Sequence, residues 1–340
     1  MQPRSILIRS PGWVGDAVMA TPTLRALRET HRDATIVLEA PSRLAPLYAG
    51  LDSFDHFLPA PSGMRASLER VRALRRSEID WAVLLPDSPR AALAAFLART
   101  PRRIGYARDP LRRLLLTESI PPPVEGGRRK PIPMVDRYLS IVAALGCDSR
   151  RRDLELAVDP SAAERVALRL AENGIAPDSG YFVVSPGASF GSSKSWPAGH
   201  FATACDAISR RHELTAILAP GPDEVAEAHR VASAMGERCL QLIRPEIDLA
   251  DLKALIARSR LVLTNDTGPR HIAVALDRPV IVLMGPTDPR HTASQLERQR
   301  VLREPVPCGP CHLARCPTDH RCMTGIAPIR AISAAGELLE

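Results

Sequence analysis

Twice along this chain, short apolar runs alternate with amphipathic stretches, and that alternation restricts the fold to parallel sheets flanked by helices. The first series places apolar runs at residues 6–8, 35–38, 54–58 and 81–85, with helical patterns at 23–29, 42–49, 64–76 and 134–145. The second places runs at 181–185, 214–219, 239–242, 261–264 and 280–283, with helical patterns at 197–211, 223–235 and 249–259. Strand, helix and strand in repetition require crossover connections, hence a parallel sheet with helices on both faces. A length of 340 residues suits two domains of ordinary size. The expected architecture is α/β, with two doubly wound Rossmann-like domains at 1–158 and 159–340, joined near 159–179. Sheets of this kind bind ligands outside the carboxyl ends of their strands, so the two domains are expected to face each other across a deep cleft that holds the chemistry. Between the series, the segment 121–133 contains Pro121-Pro122-Pro123 and Gly126-Gly127, and is expected to be an unpaired flap.

Hydrophobic residues at 45% and charged residues at 24% are ordinary for a globular protein. No apolar run approaches the roughly 18 residues of a membrane span. The start, Met1-Gln2-Pro3-Arg4-Ser5-Ile6, runs into a strand without a secretory leader pattern, which places the chain in the cytoplasm as an expectation. A formal charge of +7 favours an anionic partner. Nucleic acid is disfavoured, because aromatics make up only 4% of the chain and supply little for stacking bases. Two arginine-rich stretches, 65–76 and 99–113, either meet an anionic lipid surface or are solvated faces.

Two segments offer phosphate chemistry, and others add candidate site residues. Arg260 to Pro269 reads as a strand running through Asn265, Asp266, Thr267 and Gly268 into a helix, whose start presents unpaired N–H groups and partial positive charge. An ordinary well-capped helix has the same pattern. The first strand of the second series ends in Ser185-Pro186-Gly187-Ala188-Ser189, then Phe190 to Lys194: a small-residue loop with one cation, suited to cradle a phosphate, unless Lys194 is a solvated loop lysine. It lacks the Gly-Lys-Ser/Thr order of a nucleotide-hydrolysing loop. Glu224, after the second strand of that series, is positioned to receive ribose hydroxyls or to be a solvated helix-start acid, and His271 reaches the same pocket or packs. In the first domain, Gly12 and Gly15 form a turn that delivers Asp16 to the end of strand one, as a general base or as a helix cap. No Asp-x-Asp occurs, so a carboxylate-held metal bridging a diphosphate lacks its usual ligands. Lys194 and the helix start at Gly268 would replace it.

Cys308, Cys311, Cys316 and Cys322 crowd one terminal segment. A Cys-x2-Cys pair followed by two more thiols can complete a structural zinc site, or the four are surface thiols. Either way the 308–322 segment reads as a clasp. Cys147, Cys205 and Cys239 read as small core residues.

The segments GWVGDAVMATPTLRAL (12–27), SPGASFGSSKSWP (185–197), TNDTGPRHIAVAL (264–276) and GPTDP (285–289) resemble, in order and spacing, the signature segments of the family 9 glycosyltransferases, the ADP-heptose:lipopolysaccharide heptosyltransferases. The Trp-Val-Gly-Asp turn and the terminal Cys run are similar to the heptosyltransferase II group. The resemblance implies a GT-B fold and inverting transfer of L-glycero-D-manno-heptose from ADP-heptose to the lipid A–inner core acceptor at the cytoplasmic membrane face. It implies that Asp16 deprotonates the acceptor hydroxyl and that Lys194, with Asp266, Thr267 and Gly268, holds the donor diphosphate. Gly15, Ser185, Gly187, Ser189, Glu224 and His271 complete the expected donor-binding set. No cofactor is expected in catalysis. Three other readings share such a site: another family 9 heptosyltransferase with a different core acceptor, a nucleotide-sugar epimerase, and a non-catalytic nucleotide-sugar-binding protein.

Overall fold

A computed structural model describes residues 2–107, 109–176, 179–243 and 245–340, the side chains of residues 64 and 128 aside. Arg108 of the arginine-rich stretch 99–113 and residues 177–178 of the expected junction lie outside the described residues. The chain divides into two compact units, Met1–Glu155 with Arg290–Ser294, and Leu156–Pro289 with Gln295–Glu340.

In the first unit, strands β1 (Ser5–Arg9), β2 (Thr35–Ala40), β3 (His56–Pro59), β4 (Trp81–Leu84), β5 (Arg102–Tyr106) and β6 (Glu118–Ile120) form one parallel sheet in the order β3-β2-β1-β4-β5-β6. Helices α1 (Val14–Met19), α2 (Thr21–Thr30), α3 (Ala45–Tyr48), α4 (Met64–Arg76), α5 (Pro89–Leu97), α6 (Pro110–Leu115) and α7 (Met134–Ala143) connect them. Burial on both faces explains why Ile6-Leu7-Ile8 is a continuous apolar run, each residue at most 1% exposed. Strand order reverses between β1 and β4, where Ile6 pairs with Ile36 on one side and Trp81 on the other. The loop after β1 therefore leaves the sheet at its switch point and leads into α1, whose first turn carries Asp16.

The pattern of apolar runs misses β5 and β6. β5 opens on Arg102 and Arg103, which disguise a strand near the edge of the sheet. Arg102 lies 4.3 Å over the Trp81 ring and is ion-paired with Glu118 of β6. Arg103 donates to the Leu115 carbonyl at 2.8 Å. Arg112 is fully buried, its guanidinium donating to the carbonyls of Tyr106 (2.7 Å), Ser88 (2.6 Å) and Leu84 (3.2 Å). Three arginines of the 99–113 stretch are thus committed within the fold. The unpaired flap expected at 121–133 is also corrected. β7 (Val124–Glu125) and β8 (Arg128–Arg129) pair antiparallel across Gly126-Gly127, whose φ values of 57° and 74° are what a two-residue hairpin turn requires. The glycines that argued for a loop make the hairpin.

The second unit repeats the plan. β9 (Tyr181–Ser185), β10 (Thr215–Leu218), β11 (Cys239–Gln241), β12 (Leu261–Asn265), β13 (Val280–Leu283) and β14 (Gln299–Leu302) form a parallel sheet in the order β11-β10-β9-β12-β13-β14. α8 (Pro160–Glu172), α9 (Ala198–His212), α10 (Val225–Ala234), α11 (Leu249–Arg258), α12 (Gly268–Ala275), α13 (Arg321–Thr324) and α14 (Pro328–Leu339) complete it. The expected junction is largely α8, which Asp159 caps by accepting from the Ser161 N–H at 3.0 Å. One core runs through this unit, with Trp196, Phe182 and Phe201 its largest members. Here β9 and β12 flank the switch point, with Thr264 in register with Ser185.

Candidate functional site

The loops after β9 and β12 meet in the second unit, and side chains of Asn265 and Asp266 hold them together. Asn265, fully buried, donates to the carbonyls of Pro186 (2.7 Å) and Gly187 (3.1 Å) and accepts from the Trp196 N–H (3.2 Å). Asp266 receives Lys194 Nζ at 3.1 Å, Thr287 Oγ1 at 2.7 Å and Arg270 Nη1 at 2.9 Å, while Lys194 also donates to the Asp266 carbonyl at 2.8 Å. Burial alone would push the Asp266 carboxyl up. The Lys194 and Arg270 charges, with the Thr287 hydroxyl, overcome that and hold it well below the usual carboxylate range. His271 is buried, and burial followed by the Arg270 charge pushes its imidazole down to about 3, so it is neutral near pH 7.

Two cations, Lys194 and Arg270, converge on the Asp266 carboxylate at the switch point, and the adjacent imidazole is neutral. α12 begins in the same place. Thr267 occupies its N-cap without a side-chain capping bond, so the first-turn N–H groups are not taken by a cap. A lysine ammonium beside a helix start suits an anion. Across the β9 loop, Glu224 accepts from Ser189 Oγ at 2.9 Å and from the Gly221 N–H at 3.0 Å. A Cβ on Gly187 would sit 1.8 Å from the Glu224 carboxyl carbon, so only glycine lets Glu224 lie beside the β9 loop. Ser185 Oγ is turned inward to the Ala219 carbonyl at 3.3 Å. The structure therefore gathers Ser185, Gly187, Ser189, Lys194, Glu224, Asp266, Thr267, Gly268 and His271 around one pair of loops. Asn265, Arg270 and Thr287 are not singled out by the sequence. For Thr287 the signal was the GPTDP turn at the end of β13.

The cysteine-bearing segment reaches the same loop. Ser193 N–H donates to the Ala314 carbonyl at 3.1 Å, Ser193 Oγ to the Leu313 carbonyl at 2.5 Å, and His320 Nε2 lies 2.7 Å from the Ser193 carbonyl. The segment thereby braces the turn that carries Lys194. Cys308, Cys311, Cys316 and Cys322 are free thiols, and burial followed by the nearby Cys316, Cys311 and Cys308 pushes the Cys322 thiol up. Four soft thiols suit zinc. Among the described residues, however, no three His, Cys, Asp or Glu side chains are gathered closely enough to hold a metal ion.

In the first unit, Gly15 and Asp16 lie in the first turn of α1, whose N-cap is Trp13, so Asp16 is not the capping residue. Asp16 is half-buried. Beneath it, Tyr48 Oη lies 2.6 Å from Ser10 Oγ. Burial pushes the Tyr138 phenol up, and the negative charge of Asp16 pushes it the same way, so that phenol stays protonated. Asp87, just past the end of β4, is ion-paired with Arg137, whose guanidinium lies 4.6 Å over the Tyr106 ring. Asp16 and Asp87 follow the two strands that flank this unit's own switch point.

Comparison with known proteins places these features. Residues 67–321 match the profile of glycosyltransferase family 9 (heptosyltransferase). The chain is 30% identical over 311 residues to lipopolysaccharide heptosyltransferase 2 of Salmonella typhimurium, covering 88% of this chain and 87% of that protein. The solved structure of Escherichia coli ADP-heptose lps heptosyltransferase II superposes with a TM-score of 0.79 at 25% identity, covering 98% of each chain. A family 9 glycosyl transferase from Veillonella parvula superposes with a TM-score of 0.84 at 20% identity, over 99% of this chain and 97% of its own.

Proposed function

The chain belongs to glycosyltransferase family 9, the heptosyltransferases, and from that membership we propose that it transfers heptose from ADP-heptose to the inner core of lipopolysaccharide. The observation that carries the reading is the Lys194–Asp266–Arg270 cluster, which holds the lysine ammonium beside a helix start, where it suits a diphosphate. Glu224 would take the ribose hydroxyls. Asp16 removes the acceptor proton as the acceptor oxygen attacks the anomeric carbon. The carbon–oxygen bond to the diphosphate breaks, and ADP leaves with the negative charge that Lys194 meets. A single displacement of this kind inverts the anomeric centre. The mechanism routes no step through a metal, and zinc on the four terminal thiols would be structural. Metal analysis decides that point: about one zinc per chain supports it, and four freely titrating thiols without metal remove it.

The expected result with ADP-heptose and a defined inner-core acceptor is a product one heptose heavier by mass spectrometry, with ADP released only when acceptor is present. Conversion of the donor into another nucleotide sugar without acceptor would make the chain an epimerase. Donor binding without turnover on any inner-core acceptor would make it a binding protein. Because its acceptor is anchored in lipid, the enzyme works at the cytoplasmic membrane face by peripheral contact, and no helix among the described residues is long and apolar enough to cross a membrane.

A further inference from the structure

One surface of the first unit combines exposed apolar side chains with unpaired positive charge. On α5, Leu93, Phe96 and Leu97 project from one helix face at i, i+3 and i+4, all exposed. On α6, which packs against α5, Leu111 and Leu114 are 59% and 74% exposed. α4 packs on α5 as well and adds the exposed Leu68. Single exposed leucines need no explanation, whereas a cluster on three adjoining helices marks an interaction site. Its surroundings are basic to an unusual degree: residues 64–76 and 89–115 hold twelve arginines and two carboxylates, a net +10 against +7 for the whole chain. Some of these arginines are committed internally, Arg112 above all. Arg72, Arg76, Arg90, Arg99 and Arg113 are exposed and pair with no described carboxylate. Arg75 donates to the Leu97 carbonyl at 2.8 Å and Arg103 lies 5.4 Å over the Phe96 ring, so cations border the apolar residues directly.

We propose that the α4–α5–α6 face docks on an anionic lipid bilayer, its leucines and Phe96 entering the boundary between headgroups and acyl chains while the arginines meet lipid phosphates. The proposal rests on the reading above, since a lipid-anchored acceptor is what such docking brings within reach. Charge selects the occupant. A second copy of the chain would set two basic surfaces against each other, and a protein partner would need a dense acidic patch that a phosphate-rich membrane already supplies. The test is flotation of the full chain, without substrates, with vesicles of phosphatidylglycerol and phosphatidylcholine against vesicles of phosphatidylcholine alone. The expected result is binding to the anionic vesicles that weakens with salt and falls at least about tenfold in Leu111→Asp/Leu114→Asp and in Arg90→Glu/Arg113→Glu. Both pairs are exposed, so melting temperature and turnover on a deacylated, water-soluble acceptor should hold, while turnover on vesicle-embedded acceptor drops. Wild-type affinity in both variants, or equal binding to neutral vesicles, would overturn the proposal. Dimerisation without vesicle binding, abolished by the same substitutions, would assign the face to a second copy. Because flotation needs no turnover, its outcome is independent of whether the transferase reading stands.

Discussion

Asp16→Asn is expected to slow heptose transfer by about two to four orders of magnitude, the usual worth of a positioned acid/base group. Asp16 lies in the first turn of α1 at the switch point of its sheet, half-buried. The amide has nearly the same size and hydrogen-bonding reach, so α1 should be undisturbed and donor affinity should barely change. Only the capacity to take a proton is removed. Steady-state rates at saturating donor and acceptor, beside donor binding by calorimetry, separate these effects. Near-normal turnover would mean that another group takes the proton, and Asp87, after the adjoining strand, would be the next to test.

The sequence displays its fold where strands are buried on both faces and conceals it where arginine and glutamine interrupt the strands at the β5–β6 and β14 ends of the two sheets. Ile6-Leu7-Ile8 and Val280-Ile281-Val282-Leu283 are unbroken apolar runs because helices cover both sides. β5 and β14 contain Arg102, Arg103, Gln299 and Arg300, and no apolar window isolates them. The same division governs the site. Lys194, Asp266 and Asp16 are legible because each follows a strand in a loop of small residues, where an ionisable group is conspicuous. Arg270 and Thr287 are not, because their part depends on where Asp266 folds. Arg270 lies one helical turn along α12 and reads as an ordinary helix arginine until its burial at 2% exposure is known. Thr287 is 21 residues from the carboxylate it binds. Gly187 reads as a loop glycine, and only the position of Glu224 shows why a side chain is excluded there.

Lys194→Ala and Asp266→Asn are expected to fail in different ways, and the contrast tests the diphosphate seat. Lys194 is one of two cations on Asp266, so its loss leaves the carboxylate paired with Arg270 and Thr287 and the fold largely intact. What disappears is the ammonium that meets the departing diphosphate. The chemical rate should fall by about two to three orders of magnitude, and donor affinity should fall with it. Lys194→Arg should recover little, since a planar fork does not replace a compact ammonium that reaches both the carbonyl and the carboxylate of Asp266. Asp266→Asn instead strips the countercharge from the buried Arg270, and should cost about 3–5 kcal/mol of stability in a denaturant titration. The folded chain holds the Asp266 carboxyl below its unfolded value of about 4. Its contribution to stability is therefore fully present above that pH and is lost as pH falls below it, so the wild type should show an acid-unfolding limb that Asp266→Asn lacks. Wild-type turnover should survive excess EDTA, because fixed cations already serve the leaving group. A Lys194→Ala enzyme with unchanged rate, or activity that EDTA abolishes and magnesium or manganese restores, would move the stabilising charge from Lys194 to a metal.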